Sequence, residues 1–238
     1  ELIIYLEISM LFYIIDLGIL VNLIKIQSFY KLMKLNLPID IEKVKGFLDP
    51  LEGEVLYAYS KIATKDGPAL EIGSYCGKSA IYIGSATKEN GEKLYSIDHH
   101  KGSEEQQPGE EYFDPDLVDK TGKGIDTLPS FLATIRRSKL EGVVIPIVST
   151  SEEAFADLRQ DFSFVFIDGG HSEEAAQNDY KLWSKRLTIG GILAIHDVFP
   201  NPEDGGRPPY DIYVKALESG NFEEIDDLGS LRILRRIK

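Results

Sequence analysis

At 238 residues the chain is long enough for one large α/β domain with its own core. Its apolar content of 43% is ordinary for a globular protein, and a net charge of −13 argues against a nucleic-acid partner, whose phosphates it would repel. A single cysteine excludes an internal disulfide and says nothing against a reducing compartment; the expected location is the cytoplasm.

The amino end does not resemble the rest. Ile3 to Ile24 is apolar and long enough to cross a bilayer, yet it carries Glu7, Asp16 and Asn22. A central acid costs about 2.5–3.5 kcal/mol on insertion. Glu7 and Asp16 fall on opposite faces at ~100° per residue, so the segment is not cleanly amphipathic either. It has no basic start and no small-residue cleavage site, and does not read as a secretory signal. The chain opens on Glu1, with Met10 and Met33 as alternative starts, which leaves a trimmed or over-extended sequence open. Three readings remain: a helix that packs on the domain or forms a homo-oligomer, a non-functional leader, and, less favoured, membrane contact through residues 3–24. An anchor flanked by Lys25, Lys31 and Lys34 would leave the domain on the cytoplasmic side. Residues 1–48 are therefore set apart from a domain at 49–238.

From Asp49 the pattern becomes regular. Asp49-Pro50-Leu51-Glu52 is a helix start, with a capping carboxylate, proline in the first turn and a glutamate placed to close a capping box. That helix runs to about Ala63 and stops near Gly67. Ala69–Ile72 reads as a first strand, with a helix from about Lys78. Leu94–Asp98 is a second strand and Val143–Val148 a third, where Pro146 argues for a sheet edge. Phe162–Asp168 is a fourth, apolar throughout as a buried parallel strand should be. Ser172–Arg186 is its crossover helix, closed by Gly190-Gly191, and Ile192–Asp197 is a fifth strand. Asp211–Ser219 is a helix, and Phe222–Ile225 and Leu231–Leu234 pair across Leu228-Gly229. Alternating strands and helices predict a doubly wound, mostly parallel sheet with helices on both faces, and the last hairpin supplies one antiparallel strand. His99–Asp126 and Phe199–Tyr210 interrupt the pattern at the carboxyl ends of strands, where long loops serve as lids or binding loops.

The turn after the first strand, Glu71-Ile72-Gly73-Ser74-Tyr75-Cys76-Gly77-Lys78-Ser79, lies where open α/β sheets bind ligands. Dinucleotide folds use G-x-G-x-x-G, which is absent. A P-loop uses G-x-x-x-x-G-K-[ST], and this turn is one residue short, although Phe164–Asp168 could pass for its metal-binding strand. A shortened loop would not wrap its amides around a phosphate in the same way. The third class, S-adenosylmethionine (SAM) methyltransferases, uses Glu-x-Gly-x-x-x-Gly, and Glu71 to Ser79 resembles the turn of the catechol O-methyltransferase group. That resemblance implies a Rossmann-like class I methyltransferase sheet of seven strands. It also implies a cofactor site built from Glu71, Gly73, Ser74, Tyr75, Gly77, Ser79 and Asp168, with Asp98 for the ribose hydroxyls and Ser149, Thr150 and Ser151 near the adenine. A plain helix cap is the other reading of those last three.

Asp168-Gly169-Gly170-His171 ends the fourth strand and His196-Asp197 the fifth. Neighbouring strands lie ~4.8 Å apart, which brings Asp168 and Asp197 side by side at the cofactor edge. Two carboxylates there need a proton or a cation between them, and hard divalent ions such as Mg²⁺ suit oxygen ligands. A metal would orient an acceptor hydroxyl and lower its pKa, and His171 would take the proton. His196 reads equally as metal ligand, supporting residue or core histidine. Asp168-Gly-Gly-His171 with Gly191-Ile-Leu-Ala-Ile-His-Asp197 is similar to the metal-dependent macrocin and mycinamicin type of sugar O-methyltransferases, over roughly Pro50 to Arg236. That implies metal ligation by Asp168 and Asp197 and a base at His171. The chain departs from that pattern at His196, where an acid is common. The expected substrate is a small hydroxyl-bearing acceptor, a sugar or glycosylated metabolite. Rival readings are a P-loop nucleotide enzyme, a non-catalytic SAM-binding module, and a relative of cephalosporin hydroxylase-like proteins performing other chemistry at the metal.

Overall fold

The computed structural model describes residues 35, 37–110, 112–170, 172–204 and 206–238. The apolar segment 3–24 and His171 lie outside the described residues. Among the described residues, no helix is long and apolar enough to cross a membrane.

Helix α1 (Pro50–Ala63) begins where expected: Asp49 accepts the Leu51 N–H at 2.8 Å, and proline fills the first position. Glu52 does not close a capping box. It turns inward and is buried. Strand β1 (Ala69–Ile72) follows, then α2 (Lys78–Glu89), β2 (Leu94–Ile97) and α3 (Leu128–Arg137). Next come β3 (Val144–Ile147), α4 (Ser151–Asp157), β4 (Phe162–Ile167), α5 (Glu173–Trp183), β5 (Leu187–Ile195), α6 (Pro208–Glu218), β6 (Phe222–Leu228) and β7 (Leu231–Arg236).

The strands form one sheet in the order β3-β2-β1-β4-β5-β7-β6. Six run in one direction, and β7 is antiparallel to both its neighbours. The class I methyltransferase sheet expected from the element order is the one observed, and β3, with Pro146, lies at its edge.

Three further details differ from the sequence reading. Gly190-Gly191 does not close the crossover helix but lies inside β5, where the pairing with β4 shifts register between Phe162 and Phe164. A Cβ at Gly191 would come within 2.9 Å of the Ser163 carbonyl oxygen, so glycine lets the two backbones meet there. Helix α6 starts at Pro208, three residues earlier than its polar start suggested. Helix α3 was not foreseen. It follows the long insertion and buries Phe131, Thr134 and Ile135 on one face.

The core lies on both faces of the sheet. Every residue of β4 is buried, and Phe162, Phe164, Phe166 and Trp183 have no exposed surface. Each such side chain stabilises the fold by about 1.5–3 kcal/mol on transfer from water. The register places Ile72 opposite both Ile97 and Ile167, and Ile167 opposite Ile195. One residue on, the N–H groups of Gly73, Asp98, Asp168 and His196 continue the ladder to Ile97, Ile147, Ile72 and Ile167. Those four residues therefore stand in a row along one edge of the sheet.

Candidate active site

A cleft of about 800 Å³ opens along that edge. Its floor is the turn after β1. Gly73 has φ +86, and a Cβ there would lie 1.9 Å from the Asp168 carbonyl oxygen, so the turn and the loop after β4 touch backbone to backbone. Gly77, at φ +89, caps α2.

Asp98 holds this turn from β2. Its Oδ2 accepts the N–H groups of Ser74 at 3.0 Å and Tyr75 at 2.8 Å, and its Oδ1 accepts the N–H of His100 at 2.7 Å. A carboxylate offers about four lone-pair sites, which leaves capacity for ribose hydroxyls. Ser74 lines the cleft, and its Oγ is buried without a hydrogen-bond partner. Buried hydroxyls are rarely left so. A cofactor with a polar amino-acid end fits that gap.

Glu71 lies beneath the floor and not on it. It has no exposed surface and accepts hydrogen bonds from Ser96 Oγ at 2.6 Å and Ser79 Oγ at 3.1 Å. Burial, reinforced by Asp168 and Asp98, pushes its carboxyl up to about 8 against the two hydroxyls. At neutral pH it is a neutral acid that ties β1 to β2 and α2. Gly77 is likewise absent from the cleft wall, whereas Gly73, Ser74, Tyr75, Ser79 and Asp98 all line it.

Ser149, Thr150 and Ser151 line the opposite side. The helix-cap reading of this run holds locally. Thr150 caps α4, accepting the Glu153 N–H at 3.3 Å while Glu153 reaches back to the Thr150 N–H. Ser151 Oγ accepts from the Trp183 indole at 2.8 Å. Beside it, Asp179 is buried on the cleft wall, and burial pushes its carboxyl up to about 6.

At the far end of the row, Asp168, His196 and Asp197 come together. His196 Nδ1 lies 3.0 Å from Asp168 Oδ1 and 3.3 Å from Asp197 Oδ2. Its Nε2 lies 2.9 Å from Glu52 Oε2. Burial pulls the ring toward neutrality, but Asp168, Asp197 and Glu52 outweigh it and hold the imidazole well above its usual range. Asp197 has φ +55, a strained conformation that turns its carboxylate back beside the imidazole. The three side chains offer ligand atoms within 4.8 Å of one another. Two carboxylates and an imidazole suit a divalent cation, which would take the place of the Nδ1 proton among the same acids.

Sequence reasoning missed two contributions. Glu52 was read as a cap. Its signal was its place on the apolar face of α1, three and four residues before the buried Val55 and Leu56. Lys45, Gly46, Phe47 and Leu48, set aside with the amino end, line the cleft. Lys45 bonds Asp114 at 2.5 Å and Asp116 at 2.8 Å, and Phe47 meets the rings of Tyr75 and Tyr112 at 5.6 and 5.2 Å. These contacts seat the insertion after β2 over the cleft. The loop after β5 adds Phe199, Glu203 and Asp204 to the wall.

The family model described as "Methyltransferase domain" matches residues 70–198. Three solved structures illustrate the fold. The SAH-bound Podospora anserina methyltransferase PaMTH1 is 14% identical, with 90% of this chain and 88% of that one covered and a TM-score of 0.59. An O-methyltransferase from Bacillus cereus in complex with SAH is 14% identical, with 90% and 89% covered and a TM-score of 0.56. The O-methyltransferase TomG from Streptomyces achromogenes, involved in tomaymycin synthesis and solved with SAM, is 13% identical, with 81% and 82% covered and a TM-score of 0.58.

Proposed function

The chain belongs to this family, the class I SAM-dependent methyltransferases, and we propose that it transfers the methyl group to a hydroxyl oxygen of a small acceptor with the help of a divalent cation. The observation that carries the proposal is the contact between the glycine turn and the Asp168 loop, with His196 and Asp197 beside it. One cleft wall thus offers a cofactor turn and, one strand away, a paired-acid edge for an oxygen.

In this reading Asp98 and the turn of Gly73, Ser74 and Tyr75 hold the cofactor, with Ser149 and Thr150 toward its adenine. Bound SAM supplies an electrophilic methyl on a sulfonium. Asp168, Asp197 and His196 would hold the cation, which when bound lowers the pKa of a nearby acceptor hydroxyl. The acceptor oxygen forms the bond to the methyl carbon, the carbon–sulfur bond breaks with its electrons on sulfur, and the hydroxyl proton passes to a base. His171, three residues beyond Asp168, is the proposed base on sequence grounds. Holding oxygen and methyl in line supplies much of the rate.

The charge of the cleft favours one acceptor class. Among the described residues its wall carries nine carboxylates and two lysines, and Lys45 is already paired with Asp114 and Asp116. Polyphosphate-bearing acceptors such as CoA thioesters would be repelled. A neutral or amino-bearing sugar, or a glycosylated metabolite, would not, and Phe47 and Tyr112 give a ring wall for its apolar face. The P-loop reading falls with the antiparallel β7 and the family match.

Calorimetric titration of SAM and its demethylated product, with and without divalent metal, tests the reading on wild type, Asp98→Ala and Asp168→Ala. Micromolar SAM binding abolished by Asp98→Ala supports the cofactor site. Methyl transfer to an acceptor that is lost in Asp168→Ala, with SAM binding retained, supports the catalytic edge. SAM binding with no transfer across a broad screen of hydroxyl acceptors would favour a non-catalytic module.

A further inference from the structure

The acid cluster differs from an all-oxygen cation site in one ligand atom and in what stands behind it. His196 is 6% exposed, and its ring is held from the side away from the cleft. Glu52 Oε2 meets Nε2 at 2.9 Å. The other oxygen of Glu52 accepts the Ser230 N–H at 2.7 Å and the Ser230 hydroxyl at 3.1 Å, from the turn between β6 and β7. A carboxylate pinned in this way cannot swing aside, and it takes the hydrogen on Nε2. Nδ1 is then the atom aimed at Asp168 and Asp197. Histidines that bind metals are generally backed by a carboxylate or carbonyl on the far nitrogen, which fixes the tautomer and raises ligand basicity. Imidazole ligands suit borderline first-row metals, whereas Mg²⁺ takes oxygen.

We propose that Glu52 is a positioning residue for His196, and that the pair makes the Asp168–Asp197 edge a nitrogen-bearing site that takes Mn²⁺ or a later first-row divalent ion ahead of Mg²⁺. The inference rests on the reading that this edge holds a cation. It concerns which cation, and why a helix at the start of the domain reaches into the cluster.

The experiment uses the full chain saturated with SAH, titrated calorimetrically with MnCl₂ and separately with MgCl₂. Wild type is expected to bind Mn²⁺ at least tenfold more tightly than Mg²⁺. Glu52→Gln is expected to lose 10–100-fold in Mn²⁺ affinity, the usual effect of removing such a backing group. His196→Asp is expected to reverse the preference toward Mg²⁺. Pulsed electron paramagnetic resonance of the Mn²⁺-loaded protein should show a ¹⁴N coupling in wild type that His196→Asp abolishes. If Glu52→Gln fails to fold, Ser230→Ala, which removes only the hydroxyl contact, is expected to weaken Mn²⁺ binding severalfold. Equal affinity for the two ions, no ¹⁴N coupling, or unchanged Mn²⁺ affinity in a folded Glu52→Gln would each overturn the proposal. Because SAH binding is read separately, metal binding with no preference for Mn²⁺ refutes this inference alone, SAH binding without any metal binding refutes the cation reading it rests on, and absence of SAH binding refutes the methyltransferase site itself.

Discussion

Replacing Glu71 by glutamine removes a titration that opposes folding across the neutral range. In the unfolded chain this carboxyl ionises near 4.5, and in the fold burial moves it to about 8. Below the first value both states hold the proton and nothing is lost. Between the two, only the folded state holds it, so each pH unit upward destabilises the protein by about 1.4 kcal/mol. By pH 7 the loss is about 3 kcal/mol, and it is complete at about 5 kcal/mol once the pH passes the folded value. Glutamine has the same shape. It can accept from Ser96 Oγ through its oxygen and donate to Ser79 Oγ through its nitrogen, in place of the two bonds now made. Urea unfolding of wild type and Glu71→Gln, without cofactor, at half-unit steps from pH 5 to 9 isolates the group, because the other titrations cancel in the difference. The stability gap should move in favour of the variant by about 1.4 kcal/mol per pH unit up to pH 8 and then level off. A gap independent of pH over that range would refute the assignment of a neutral, buried acid under the glycine turn.

Asp98→Ala takes the acceptor from three backbone N–H groups at once, and should destabilise the protein by about 2–4 kcal/mol in chemical unfolding while lowering SAM affinity at least tenfold. Gly73→Ala drives a Cβ into the Asp168 carbonyl and forces a left-handed φ on alanine, so its thermal midpoint should fall sharply, with a loss above about 3 kcal/mol. A small shift there would mean that the turn and the Asp168 loop are not in contact. Phe47→Ala removes a ring that is 61% exposed, so stability should stay within about 0.5 kcal/mol, while KM for the acceptor rises and SAH affinity in calorimetry does not change.

Much of this protein is written in local pattern. The glycine turn, the apolar run of β4 and the acids at the ends of β2, β4 and β5 depend on spacings of a few residues, and parallel pairing then sets those ends in a row. Pro146 marked the edge strand for the same reason: a missing donor is tolerated where only one neighbour needs it. Other features depend on partners far away along the chain. Glu52 follows Pro50 as a capping glutamate would, and only the meeting of α1 with His196, 144 residues on, and Ser230, 178 residues on, makes burial affordable for its charge. Lys45 and Phe47 sit next to an apolar leader in sequence but join the cleft wall because Asp114, Asp116 and Tyr112 come back over them. The sequence by itself determined the strands of the sheet, most of its helices and the acids at the strand ends, because hydrophobic period and turn chemistry are local. The tertiary structure alone decided which of those residues are charged, buried or backed by another, because each of those properties belongs to a pair brought together by folding.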